Sequence, residues 1–217
     1  MKLKTLLSGF VFAVLLVSKA AAAESTDNAL SLAVDPASIQ YTDRLLHQPV
    51  DPLAGNPAGS ISIVEFFDYQ CPHCIDMTDV LDKVVAKNHS LRVVFKELPF
   101  RGPVSEFAAR AALAAKKQGK YTELHEALMH PKEQPLTNEI VLAIAKSVGL
   151  DIDRLKNDIT SADVTQQIND NLKLAQDLRV RGTPAFFLSK TNKPDRILFV
   201  LGWVDLAQFE SLIKKAS

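Results

Sequence analysis

A β-branched and aromatic run, Ile61-Ser62-Ile63-Val64-Glu65-Phe66-Phe67, gives way at Asp68-Tyr69-Gln70 to apolar spacing of helical period from about Pro72 to Lys87. A second run, Leu91-Arg92-Val93-Val94-Phe95-Lys96-Glu97, follows and is stopped by Pro99. Both runs suit buried strands. Strand, helix and strand within about forty residues indicate a βαβ unit, and so a parallel pair. No other stretch of the sequence limits the fold as much.

The next eighty residues read as helical. Pro103 suits a first turn, Phe107, Ala111, Ala114 and Ala115 form a stripe, and Gly119 ends the helix. Further helices are expected at Tyr121–Met129 and Asn138–Val148, and a long one behind an Asp163–Gln166 capping box. After Arg181-Gly182-Thr183-Pro184 the period returns to that of strands. Ala185–Ser189 and Ile197–Leu201 are expected to form a hairpin, and Asp205–Lys215 a final helix. Five of the eleven residues from Pro49 to Gly59 are Pro or Gly, so residues 24–60 read as a lead-in, with one helix near Ser38–Leu46.

The chain begins with a short basic stretch, an apolar run from Leu6 to Val17 and small residues through Ala23, the pattern of a cleavable secretory signal over residues 1–23. The apolar run is short against the ~20 residues needed to cross a bilayer. Cleavage leaves 22 basic against 25 acidic residues, a net charge of −3. Such balance gives no field favouring nucleic acid or anionic lipid. Export would place the two cysteines of the chain where disulfides form and persist.

Those cysteines are Cys71 and Cys74 in Cys71-Pro72-His73-Cys74. Cys71 is expected at a helix N-terminus, where unpaired N–H groups and the dipole favour a thiolate. Pro72 fits the first turn, His73 adds positive charge when protonated, and Cys74, one turn deeper, becomes the resolving thiol. Other readings compete. A three-residue staple constrains an unfolded chain very little. A zinc site on Cys71, His73 and Cys74 lacks the usual second pair, although His125 and His130 are available. Covalent haem needs His where Ile75 stands, and a cysteine hydrolase needs no second thiol. Redox chemistry fits best. His47, His89, His125 and His130 read as surface or helix residues, and Trp203 and the phenylalanines as core.

The segment Val64–Cys74 resembles the active-site region of the DsbA family of periplasmic thiol oxidoreductases, and Arg181-Gly182-Thr183-Pro184-Ala185-Phe186-Phe187 resembles its cis-proline loop. The resemblance implies an α/β, thioredoxin-like fold over 61–217 with an inserted α-helical subdomain at about 103–160. It implies Cys71 as nucleophile, Cys74 as its partner, and Pro184 in cis facing the disulfide. The Thr183 backbone would offer strand-like hydrogen bonds to a client. Glu65 matches a buried acid that moves protons and tunes Cys74, with Lys96 as its expected partner. The activity implied is introduction of disulfides into exported proteins, with regeneration by a membrane quinone-linked thiol oxidase and no bound cofactor. Residues 24–60 could form a dimerisation arm but are shorter than a typical dimerisation domain, so a monomer is expected in preference to a homodimer. Alternatives are an isomerase or reductase using the same site, a non-enzymatic chaperone or surface protein, and metal delivery. Thr183 stands where the best-known oxidase has valine, and threonine is common in isomerases of this fold.

Overall fold

Every residue of Ile61–Phe67 is buried, which requires a strand covered on both faces, a place that β-branched and aromatic side chains suit. The computed structural model, which describes residues 33–34, 36–131 and 135–217, puts this strand inside a six-stranded mixed sheet. In chain order the strands are β1 (Ala33–Val34), β2 (Leu53–Gly55), β3 (Ile61–Phe67), β4 (Leu91–Glu97), β5 (Ala185–Lys190) and β6 (Leu198–Leu201). Across the sheet they run β1-β6-β5-β3-β4-β2. Among the described residues only β3 and β4 pair in parallel, with Glu65 opposite Phe95 and Phe66 opposite Lys96. The crossover between them is α2 (Pro72–Lys87).

Alternation along β3 divides the core in two. Ile63 and Phe67 face Met77, Leu81 and Val84 of α2, the helical insertion, and Phe209 and Leu212 of α8 (Leu206–Ala216). Val64 and Phe66 face Leu45 and Leu46 of α1 (Thr42–Leu46) and Leu174 and Ala175 of α7 (Ala162–Asp177). The insertion comprises α3 (Pro103–Ala115), α4 (Tyr121–Met129), α5 (Asn138–Ser147) and α6 (Ile152–Ile159). Six buried alanines on α3 let neighbouring helices approach closely. Gly119, at φ +66, closes the 3-10 turn that ends α3.

Several expectations change. The lead-in of residues 24–60 contributes, where it is described, to the sheet: β1 pairs with β6 and β2 with β4, so it supplies both sheet edges. Its helix begins as a 3-10 turn at Pro36–Tyr41. Helix α6 was not singled out. The long helix starts at N-cap Ser161, and the Asp163 carboxylate accepts a hydrogen bond from Lys117 Nζ at 2.9 Å instead of closing a capping box. A capping box does form at Asp205–Gln208. Residues 1–23, read as an export signal, lie outside the described residues. Among the described residues no helix is long and apolar enough to cross a membrane.

Candidate active site

The end of β3 aims the next residues at the tip of α2. Cys71 is the N-cap, with φ −88 and ψ 113, and Pro72 occupies the first turn. The Cys71 carbonyl accepts from the N–H groups of Cys74 at 3.0 Å and Ile75 at 3.2 Å. Across 112 residues of sequence, the Cys71 thiol donates to the Thr183 carbonyl at 3.3 Å. The Thr183–Pro184 peptide is cis, the conformation the resemblance implies. Thus Cys71, Cys74, Thr183 and Pro184 meet at one place.

Both cysteines are free thiols, and their surroundings push them apart. Hydrogen bonding by the Cys74 thiol, helped by Thr183 and the nearby Arg101 charge, outweighs burial and draws the Cys71 thiol down to about 5. Burial, then the bond to Cys71 and the Glu65 charge, drives the Cys74 thiol far above the usual range. The Thr183 hydroxyl is buried and lacks a partner in hydrogen-bond geometry. It nonetheless lies close enough to favour a Cys71 anion, which would give it an acceptor.

Glu65 is 3% exposed, and burial, with smaller contributions from Asp82 and Cys71, raises its carboxyl to about 8. Its expected partner is elsewhere. Lys96 lies one residue beyond Phe95, the register partner of Glu65, and therefore points to the opposite face, where it pairs with buried Asp51 and donates to the Arg44 carbonyl. His73 faces outward, with Nδ1 3.9 Å from Asp76. A smaller contribution to the lowering of the Cys71 thiol comes from the positive charge of Arg101, which the sequence did not single out.

His125 lies on helix α4, within the surface-or-helix reading, and is buried: its Nδ1 lies 3.0 Å from the Tyr69 hydroxyl, and burial pushes it down to about 3. Tyr69 and Tyr121 both donate to Glu97 Oε1, at 3.0 and 2.9 Å, placing a buried acid behind the turn that precedes Cys71. Trp203 and Phe100 are not core, being 50% and 49% exposed. Among the described residues no three His, Cys, Asp or Glu side chains are grouped to hold a metal.

Residues 62–214 match the model of the DSBA-like thioredoxin domain. The chain belongs to that family. Its fold is the thioredoxin-like fold with a helical insertion, and members of the family are thiol-disulfide oxidoreductases. A thioredoxin-like oxidoreductase from Silicibacter pomeroyi is 39% identical, with a TM-score of 0.72 over 80% of this chain and 96% of that one. The thiol-disulfide exchange protein alpha-DsbA2 from Wolbachia pipientis is 27% identical, with a TM-score of 0.72 over 83% and 94%. A Na(+)/H(+) antiporter NhaA 3 of Salinispora tropica is 29% identical over 147 residues, which are 65% of this chain and 22% of that longer protein. In the DSBA-like frame, the contiguous Cys71–Cys74 segment and the Thr183–Pro184 segment were readable from sequence. Arg101 and the Glu97 cluster were not, because folding alone brings them near.

Proposed function

We propose that this chain is an exported dithiol–disulfide oxidoreductase that passes its Cys71–Cys74 disulfide to the thiols of unfolded exported proteins. The observation that carries this reading is the opposed pair of sulfurs, one drawn toward the anion and one driven away from it, against the Thr183 carbonyl.

A client thiolate attacks the Cys71 sulfur, the Cys71–Cys74 bond breaks, and a mixed disulfide forms beside Pro184. Cys74 leaves carrying the electron pair and needs a proton, since burial disfavours its anion. Glu65, protonated at neutral pH because its carboxyl is raised to about 8, supplies that proton. A second client thiolate then attacks the client sulfur, and Cys71 departs as a stabilised thiolate. Two client thiols become one disulfide, and the protein disulfide gains the two electrons. The Thr183 backbone aligns the client as an added strand. A membrane quinone-linked thiol oxidase takes the electrons onward, and no bound cofactor is needed. The protein acts as a monomer in the periplasm after removal of residues 1–23.

Trapping the redox state of the pair in cells, together with its equilibrium potential against glutathione, tests the direction of flow. A pair found mostly oxidised, with a potential well above that of glutathione, fits an oxidase. A pair kept mostly reduced assigns the same site to isomerisation or reduction, the role suggested by Thr183. Full activity of Cys71→Ser in refolding a reduced substrate would end the enzyme reading.

A further inference from the structure

The loop of residues 99–102 lies against the turn preceding Cys71, and one buried side chain joins them. Asp68 is 2% exposed. Its Oδ1 accepts from the Gln70 N–H at 2.8 Å and the Ser105 hydroxyl at 2.7 Å. Its Oδ2 accepts from the N–H groups of Phe100 at 3.0 Å and Arg101 at 3.1 Å. The Asp68 carbonyl accepts the Cys71 N–H at 3.0 Å. Four donors on one buried carboxylate fix the loop relative to the sulfur, so Arg101 stands beside Cys71 because the backbone is held there.

The Arg101 side chain is exposed, and its guanidinium has no hydrogen-bond or ion-pair partner among the described residues. Arg181 is exposed and equally without a partner, two residues before the Thr183 carbonyl that receives the Cys71 thiol. Asp76 of α2 is exposed and sits next to His73. Apolar side chains accompany these charges. Phe100 shares the Asp68-held loop, and Leu201, 44% exposed, stands opposite Ala185, the residue after the cis proline. Two segments bordering the site, the Asp68-held loop and the segment leading into the cis proline, thus each carry an exposed arginine without a side-chain partner among the described residues.

We propose that this site selects its clients by charge, favouring an extended segment with an aspartate or glutamate within about two residues of the reacting cysteine. The span follows from the ~8 Å reach of a charge at physiological ionic strength and the ~3.3 Å rise per residue of a strand. The inference rests on the oxidoreductase reading above. If Arg101 served only to acidify Cys71, it would speed every client alike. Charge complementarity sets the rate of encounter and the choice of partner more than bulk affinity, so the expected signature is kinetic.

The test uses the oxidised full-length protein and three cysteine peptides differing only in the flanking residues, aspartate, serine or lysine. Exchange rates come from acid quenching and mass measurement, each divided by the rate of the same peptide with neutral hydroxyethyl disulfide to remove differences in thiol reactivity. The aspartate peptide is expected to react roughly five- to tenfold faster than the lysine peptide at low salt, with the ratio falling toward one in 1 M salt. Arg101→Glu should bring the ratio to one or invert it, and Arg181→Glu should lower it independently. Comparing peptides within one variant cancels any change in Cys71 itself. A wild-type ratio near one, or a ratio unmoved by both variants, overturns the proposal. Absence of exchange with all three peptides overturns the oxidoreductase reading, and this inference with it.

Discussion

The Cys71 sulfur sits at the N-cap of α2, where the Cys74 thiol and the Thr183 hydroxyl can both direct hydrogens at it. Both cysteines are buried in the same core cluster, and Cys74, one turn along, differs in that burial, its bond to Cys71 and the Glu65 charge all oppose its anion. The contrast makes a direct prediction for the reduced protein. Alkylation of Cys71 followed against pH should show a midpoint near 5, while Cys74 stays unmodified until the fold opens. Thr183→Val removes the hydroxyl with little change in shape and should raise the midpoint by roughly half to one unit. Thr183→Ser should restore it. A wild-type midpoint near 8, or no shift in Thr183→Val, would remove the hydroxyl from the account of thiolate stability.

At the scale of elements, the buried Asp51–Lys96 pair ties the segment between α1 and β2 to β4. Both side chains are 2% exposed, so removing one partner leaves a charge without water. Asp51→Ala should cost about 3–5 kcal/mol in urea unfolding, whereas the double change Asp51→Leu with Lys96→Met should recover most of that loss. A cost below about 1 kcal/mol for Asp51→Ala would show that the ammonium escapes to solvent. This pair also marks where sequence reading stops. The bounds of β3, α2 and β4 were legible because the period changes at Asp68, Pro72 and Pro99, and each run is long enough to show it. Strands β1 and β2, two and three residues long, carry no period and exist because neighbouring strands offer edges. Glu65 and Lys96 looked like partners until the parallel register fixed their opposite faces. The Cys71–Cys74 segment was legible because its chemistry is contiguous. The Asp68 contacts with Phe100 and Arg101 span more than thirty residues and leave no local pattern.

For the whole molecule, the buried titratable groups set an unusual dependence of stability on pH. Burial raises Glu65 to about 8 and Glu97 well above its ordinary value, so the fold refuses their ionised forms. Each contributes stability that is full below the unfolded pKa of 4.5 and declines as pH rises, for Glu65 until about 8. His125, pushed down to about 3, refuses its proton, so its contribution is lost as pH falls from 6.5 toward 3. At about 1.4 kcal/mol per unit and group, these opposing slopes place the maximum for the disulfide form near pH 5, with a fall on the order of several kcal/mol by pH 8. The dithiol form adds Cys71, whose lowered pKa of about 5 gives stability that grows between pH 5 and the unfolded value of 9. The reduced protein should therefore gain on the oxidised one as pH rises through that window. At pH 7 the gain is at most about 2.7 kcal/mol, less where water screens the sulfur, which corresponds to at most about 60 mV of oxidising power. Calorimetric Tm values for both redox forms from pH 4 to 9 measure the two effects separately. A disulfide form most stable above pH 7 would mean that Glu65 and Glu97 ionise within the fold, and a gap between the forms that does not widen with pH would mean that Cys71 gains nothing as an anion.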